Sequence, residues 1–297
     1  MVELPLVIPT YNNQNHLRNF IKQCENLGLK NLIVIDNNST DDEMKNLLKS
    51  IEKDYRVINL DFNYGPRYVL HSDRIRKNLP SKILLSDPDL KLNHKMPTDF
   101  IKYLNDLSEQ YKIGKVGLAL NIDNEKINAN KIIAHENVIY TIREWEEKYW
   151  EKKIGNLNNG DPFYQADIDT TFCLVNFNFF EINEELKGIR VAGSFTADHI
   201  PWLKEPNLSE QPRTSYFNNK VSNWEEPNSN IEWLKMRNEI IKLNLERNLE
   251  KIRKENALDE VALLHHYLDR LHNSKSWKLT SPLRRIFTIL RGKKYDN

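Results

Sequence analysis

Three short apolar runs, each closed by a polar cluster, constrain this chain more than any other feature. The last of them is the most informative. Ile83-Leu84-Leu85 follows Leu79-Pro80 and stops at Ser86-Asp87-Pro88-Asp89. An uninterrupted run too short for a helix predicts a strand buried on both faces of a parallel sheet. In open α/β sheets ligands sit beyond the carboxyl ends of the strands, so Asp87 and Asp89 stand where a ligand would bind. Pro88 holds its φ at about −65°, and both carboxylates could then reach one hard cation, with phosphate oxygens completing its shell. Ser-Asp-Pro-Asp is also ordinary turn chemistry; alone, these residues leave both readings open.

The other two runs repeat the pattern. Residues 4–9 form the first and end at Thr10-Tyr11-Asn12-Asn13; residues 32–35 form the second and end at Asp36-Asn37-Asn38-Ser39-Thr40-Asp41-Asp42. Helical spacing of Leu17, Phe20, Ile21 and Cys24 predicts a helix from about Asn15 to Gly28, and Met44, Leu47, Leu48 and Ile51 predict another. Residues 56–60 read as a strand leading to Asn63-Tyr64-Gly65-Pro66-Arg67, and residues 69–79 read as helical. Strand, polar turn and helix in regular alternation predict a doubly wound, mostly parallel α/β sheet.

The second half is less regular. The spacing predicts helices over residues 99–111 and 137–152 and strands over residues 115–122 and 169–177, the last opening on Asp169-Thr170-Thr171-Phe172. Residues 156–161, rich in glycine and asparagine, read as a flexible loop. Residues 230–271 carry a long charged helical pattern with a broken apolar stripe, Leu234, Ile241, Leu245, Leu249 and Ile252. Such a stripe must be covered by the domain or by a second copy in a homodimer.

The 297 residues suffice for one large domain with an appendage, and the net charge of +1 argues against nucleic acid as partner. Cys24 and Cys173 have no metal-ligand spacing and are expected to be buried and inert, which fits a reducing compartment. No run approaches the ~20 apolar residues of a membrane span, and the first residues have no signal-peptide pattern. The expected location is the cytoplasm, or the cytoplasmic face of the inner membrane as a peripheral protein.

Taken in order, Ile8-Pro9-Thr10-Tyr11-Asn12, Ile33-Val34-Ile35-Asp36-Asn37-Asn38-Ser39-Thr40-Asp41 and Asp87-Pro88-Asp89 resemble the family 2 glycosyltransferases and their GT-A nucleotide-sugar fold. The resemblance implies that Pro9, Thr10, Tyr11, Asn12 and Asp36 contact the nucleotide, and that Asp89 with Asp87 holds ribose and a metal, Mn²⁺ or Mg²⁺. Many members carry two acids after the second strand. Here the second is Asn37, whose amide oxygen can still accept from a base N–H; a UDP-sugar is favoured, with the base left open. Gly65 and Arg67 are placed on the nucleotide side. Asp36 alone could equally be a helix cap.

A narrower resemblance, to bacterial surface-polysaccharide transferases, rests on Lys115-Val116-Gly117-Leu118-Ala119-Leu120-Asn121-Ile122-Asp123, on Asp169-Thr170-Thr171-Phe172 and on Ala197-Asp198-His199-Ile200-Pro201-Trp202. It implies that His199 completes the metal shell, where imidazole suits Mn²⁺; a core histidine is the alternative. Inverting members use an acceptor-side carboxylate as base, for which Asp169 is the first candidate and Asp167 the second. Asp169 could also cap its strand or bind donor-sugar hydroxyls. Trp202 could stack on a sugar or fill a packing corner. Arg67 and Arg190 could pair with phosphate, Arg190 from the sugar and acceptor side.

The tail Ser274-Lys275-Ser276-Trp277-Lys278-Leu279-Thr280-Ser281-Pro282-Leu283-Arg284-Arg285 resembles an ending seen on many bacterial polysaccharide glycosyltransferases. Its basic, partly apolar continuation suits an anionic membrane surface, where lipid-linked acceptors reside. The expected organisation is a GT-A domain over residues 1–228, with a nucleotide-binding half (1–92) and an acceptor and sugar half (93–228). A helical segment (229–273) and a basic amphipathic tail (274–297) follow. The expected activity is metal-dependent, inverting sugar transfer from a nucleotide diphosphate to a glycan or lipid-linked glycan of a capsule or lipopolysaccharide. The alternatives are a non-catalytic nucleotide- or glycan-binding subunit and a sugar nucleotidyltransferase. The latter class carries a glycine-rich basic loop after its first strand, and residues 10–15 contain no glycine, lysine or arginine.

Overall fold

The three apolar runs lie side by side in a nine-stranded sheet in the computed structural model of the chain. It describes residues 4–123, 125–128, 132–135, 138–204, 224–225, 250, 253–254 and 256–257. The chain divides into two units, Met1–Asn248 and Leu249–Asn297.

The first unit opens with β1 (Leu6–Thr10), α1 (Gln14–Asn26), β2 (Leu32–Asp36), α2 (Asp42–Ile51) and β3 (Arg56–Asn59). α1 buries Leu17, Phe20, Ile21 and Cys24, the face that 3.6-residue spacing selects. It is followed by Gly28 at φ +77°, a left-handed position that glycine adopts without a Cβ clash. α2 is capped by Asp41, whose carboxylate accepts from the Met44 amide at 2.9 Å.

Two four-residue helices follow, α3 (Tyr68–His71) and α4 (Asp73–Arg76), then β4 (Lys82–Leu85), β5 (Leu90–Lys91), α5 (Phe100–Tyr111) and β6 (Lys115–Leu118). The helix expected over residues 69–79 is thus interrupted, because Ser72 takes an extended ψ of 110°. Beyond β6 come β7 (Ile132–His135), β8 (Val138–Thr141), α6 (Ile142–Glu147), β9 (Lys153–Asn156) and β10 (Pro162–Gln165). The single helix expected over residues 137–152 is corrected to strand β8 and short helix α6. Val138, Ile139, Tyr140 and Thr141 are strand-forming types, and Thr141 and Glu144 close a capping box that starts α6 only at Ile142. Residues 156–161 are the turn of the β9–β10 hairpin.

The remaining elements are β11 (Cys173–Asn176), β12 (Gly188–Val191), β13 (Asp198–His199) and β14 (Trp224–Glu225). The strand expected over residues 169–177 begins only at Cys173, leaving Asp169-Thr170-Thr171-Phe172 as its approach.

Sheet order is β3-β2-β1-β4-β11-β6-β12-β10-β9. β1 is parallel to β2 and β4, β2 to β3, and β6 to β12. β11 is antiparallel to β4 and β6, and β10 to β12 and β9. Only β10 and β11 therefore run against the other strands, and the expected doubly wound, mostly parallel α/β sheet is present. One detail differs: β4 is parallel to its neighbour on one side only. The core is continuous along the sheet, with Leu6, Ile8, Leu84, Leu174, Phe172 and Phe100 inaccessible or nearly so. Cys24 and Cys173 are both buried, as expected, and burial raises the thiol of Cys173 to about 12.

No helix among the described residues is long and apolar enough to cross a membrane. In the second unit, Glu250, Arg253, Lys254, Asn256 and Ala257 are helical, with a 2.8 Å ion pair from Lys254 to Glu250. The rest of the expected helix over residues 230–271, including His265 and His266, and the tail over residues 274–297 lie outside the described residues.

Candidate active site

The connection order turns at the boundary between β1 and β4, and a crevice opens beyond their carboxyl ends, as it does in other open α/β sheets. It encloses about 520 Å³. Pro9, Thr10, Tyr11, Asn37, Gly65, Arg67, Asp87, Asp89, Asp167, Asp169, Arg190, His199 and Trp202 all line it. Two expected contacts, Asn12 and Asp36, do not.

Asn12 and Asp36 instead support, from behind, the wall that carries Thr10 and Asn37. Asn12 has φ +43°, and its amide oxygen accepts from the Thr40 and Asp41 amides at 2.9 and 3.0 Å. Its side-chain NH₂ donates to Thr40 Oγ1 at 3.0 Å. The Asp36 carboxylate accepts from the Ser39 amide at 2.9 Å and the Ser39 hydroxyl at 2.5 Å. Burial pushes the Asp36 carboxyl up, against the opposing pull of those hydrogen bonds. Asn37 is left to face the crevice. It is buried, its side-chain Nδ2 lies 3.5 Å from the Thr10 carbonyl, and its Oδ1 is an inaccessible acceptor with no hydrogen-bond partner. An unpaired acceptor of this kind costs roughly 1–3 kcal/mol until something donates to it.

Asp87 and Asp89 occupy the floor. Asp87 is driven well above the usual carboxylate range by burial and then by the charge of Asp89, while the Thr170 hydrogen bond pulls the other way. Asp89 lies beside His199, with Oδ2 3.4 Å from Nε2, and its Oδ1 is buried without a partner. The pairing is a product of the chain path: β5 and β13 form a two-stranded ribbon that sets His199 opposite Leu90, the residue after Asp89. Trp202 is buried with its ring centroid 4.3 Å from that of His199. Among the described residues no three His, Cys, Asp or Glu side chains form a ready-made metal cage. Even so, the donor set fits a divalent cation. Asp87 is buried beside the charge of Asp89, one Asp89 oxygen has no donor, and an imidazole adjoins it; a hard cation would offset the first two and take the third as a ligand.

The far wall holds the candidate base. Asp169 is exposed, with Oδ1 3.4 Å from Arg67 Nε. Its main chain is fixed from behind by Lys115, a lysine with no accessible surface whose ammonium donates to the carbonyls of Ile168 and Asp169 at 3.1 and 3.0 Å. Burial lowers the Lys115 amine, since the charged form loses water. On the other side, Thr170 Oγ1 donates to Asp87 Oδ2 at 2.6 Å, and the Asp87 amide donates to the Thr170 carbonyl at 3.0 Å. Asp167 is also exposed and lines the crevice.

Arg190 differs from expectation. It is buried at 3% exposure, and its guanidinium is already engaged by Glu146 Oε2 at 2.8 Å, by the Asp167 carbonyl at 2.7 Å and by the Tyr149 ring at 4.0 Å. A phosphate would have to compete with Glu146. Glu146 is itself buried, which pushes its carboxyl up against the pull of Arg190. Lys115, Glu146, Tyr149, Thr170 and Glu185 were not singled out from the sequence as site residues. Of these, Thr170 and Lys115 carried a signal, Thr170 beside Asp169 and Lys115 at the head of the segment 115–123.

Residues 6–71 match the family model described as Glycosyl transferase family 2. The match covers less than a quarter of the chain. It runs from β1 through α3 and includes the turns that carry Thr10, Asn37 and Gly65. Comparison with curated proteins gives no match. Among solved structures, similarity is found to S. aureus TarS, at 15% identity and a TM-score of 0.31, over 43% of this chain and 24% of that one. S. aureus TarS 1-349 in complex with UDP gives 10% identity and 0.35, over 66% and 60%. GalNAc-T7 with UDP, GalNAc and Mn²⁺ gives 10% and 0.41, over 66% and 43%. The chain spans less than two thirds of the length of each of these structures.

Proposed function

We propose that this chain is a metal-dependent glycosyltransferase that moves a sugar from a nucleoside diphosphate, with UDP favoured, to a hydroxyl of a glycan or lipid-linked glycan. The observation that carries the reading is one crevice with three chemically distinct walls: the buried acceptor of Asn37, the buried carboxylates of Asp87 and Asp89, and the exposed carboxylate of Asp169. The family match over residues 6–71 supports the donor half.

Asp89, with Asp87 and His199, would hold Mn²⁺ or Mg²⁺. Such a cation neutralises charge that develops on a departing diphosphate. Asn37 Oδ1 accepts from the imide N–H of the base. Thr10, Tyr11 and Gly65 bound the nucleoside, and Gly65 at φ +85° lets the main chain turn beside it. Trp202 bounds the donor sugar and holds the face of His199. Asp169 takes the proton of the acceptor hydroxyl, with Asp167 as the alternative group. Inversion at the sugar carbon, a bacterial surface-polysaccharide acceptor and attachment to the cytoplasmic membrane face belong to the same proposal. These three rest on sequence resemblance.

The test is thermal unfolding with UDP, GDP, dTDP and their sugars, with and without Mn²⁺, on the native chain and on Asp89→Ala. A ligand at 100 times its dissociation constant adds about 2.7 kcal/mol of stability. The expected result is a metal-dependent rise with a uridine nucleotide that Asp89→Ala abolishes. If no nucleotide raises the melting temperature under any metal condition, the proposal falls and a glycan-binding subunit takes its place.

A further inference from the structure

Behind the wall that carries Asp169, four side chains form an ordered series. His71 Nε2 lies 2.6 Å from Glu185 Oε2, Glu185 Oε1 lies 2.5 Å from Arg67 Nη1, and Arg67 Nε lies 3.4 Å from Asp169 Oδ1. Exposure rises along the series: the side chains of His71 and Glu185 are 16% and 18% exposed, Arg67 is 32% and Asp169 is 60%. Arg67 lines the crevice, and Glu185 stands behind it. Burial pushes the Glu185 carboxyl up, but the adjacent His71 imidazole and the charge of Arg67 outweigh it, so the net direction is down.

A guanidinium is a rigid planar fork, so fixing one nitrogen fixes the direction of the others. With Nη1 held by Glu185, Nε lies 3.4 Å from Asp169 Oδ1, an ion-pair contact. The other oxygen, Oδ2, has no protein partner among the described residues. Lys115 holds the Asp169 carbonyl at the same time. The Asp169 carboxylate thus lines the crevice with one oxygen beside Arg67 and its carbonyl held by Lys115.

We propose that Glu185 is a positioning residue: by holding Arg67 it orients Asp169 so that Oδ2 receives the proton of the acceptor hydroxyl. This rests on the reading of Asp169 as base. In that step the hydroxyl proton passes to Oδ2 and the hydroxyl oxygen bonds to the sugar C1. The bond from C1 to the diphosphate oxygen breaks, and its electron pair leaves with the nucleoside diphosphate.

The test uses the full chain with Mn²⁺ and UDP-glucose, UDP-galactose and their N-acetyl forms, measuring UDP release with water as acceptor, together with crystal structures of the native chain and Glu185→Gln. In Glu185→Gln the contact between Arg67 Nε and Asp169 Oδ1 is expected to be lost. kcat should fall about 10- to 100-fold, the scale of a misplaced reacting group. Donor KM should stay within about twofold, since ground-state binding is untouched. Arg67→Lys keeps the charge but loses the fork, and should reproduce the fall. Glu185→Asp should restore part of it. Retention of the contact in Glu185→Gln, or an unchanged kcat while Asp169→Asn is inactive, would overturn the positioning role alone. If Asp169→Asn releases UDP as fast as the native chain, the base reading falls and the positioning role with it.

Discussion

Thr170 donates a hydrogen bond to Asp87 at 2.6 Å, and so joins the segment that carries the proposed base to the carboxylate pair proposed to hold the cation. The floor of the crevice and the wall that carries Asp169 are therefore tied by two hydrogen bonds. Thr170→Val keeps the shape and removes the donor. Asp87 is already raised by burial and by Asp89, and would rise further. The expected cost is about 1–3 kcal/mol for a buried acceptor deprived of a partner, with a weaker metal-dependent nucleotide shift. Chemical denaturation and the thermal panel, run on one preparation, measure both.

Asn37→Ala should separate binding from stability. The buried Oδ1 has no partner in the free protein, and the side-chain nitrogen has only a long 3.5 Å bond to the Thr10 carbonyl, so the substitution should leave folding stability close to that of the native chain. Nucleotide affinity should fall about tenfold, the equivalent of one hydrogen bond of about 1.4 kcal/mol. Titration calorimetry with UDP reads the affinity; an unchanged value would place the base elsewhere.

Glu146→Gln leaves the Arg190 charge buried without its counter-ion. Both side chains are nearly inaccessible, at 3% and 4%. Breaking one partner of such a pair costs about 3–5 kcal/mol, whereas replacing both by apolar residues is often close to neutral. The double variant Glu146→Leu with Arg190→Met should therefore recover most of the loss in urea denaturation. Non-recovery would mean that Arg190 contributes through the Asp167 carbonyl and the Tyr149 ring.

Stability should also respond to acid through Glu185. Its carboxyl is held below the ordinary 4.5, with burial opposing His71, Arg67 and Lys115. A lowered carboxyl contributes stability that is fully present above the unfolded value and is lost as pH falls through the folded one. Unfolding curves of the native chain and Glu185→Gln should differ most above about pH 4.5 and converge below the lowered value. A gap that stays constant to pH 3 would show that the contribution is not ionic.

The sequence displayed the parallel half of the sheet because each of its strands announces itself locally. Residues 32–35 are all apolar and mostly β-branched, and such runs need no tertiary information to be read. The β8 strand was obscured by the Trp- and Glu-rich helix after it, although Thr141 and Glu144 hold the spacing of a capping box. Arg190 and Lys115 were opaque for another reason. The partner of Arg190 lies 44 residues away, and Lys115 meets the carbonyls of Ile168 and Asp169 because β6 pairs with β12, beside which residues 166–168 run. Nothing in the flanking residues of either encodes that fact. Asp36 and Asn37 show the finer limit: both belong to one turn, but side-chain hydrogen bonds decide which of them faces the crevice.

The position of β11 has a consequence for how the chain must assemble. β4 pairs with β1 on one side and with β11 on the other, so its second edge stays open until a segment roughly ninety residues later in the chain is in place. An exposed edge of Lys82-Ile83-Leu84-Leu85 is a template for pairing with another chain, and contacts of such long sequence separation form slowly. During synthesis the first four strands can be in place while β4, with Ile83, Leu84 and Leu85 buried in the finished sheet, is still half-unpaired. The segment that closes it, arriving with Cys173 to Asn176, brings Asp169 and Thr170 to the crevice in the same event. Protection from aggregation and completion of the site thus share one folding step.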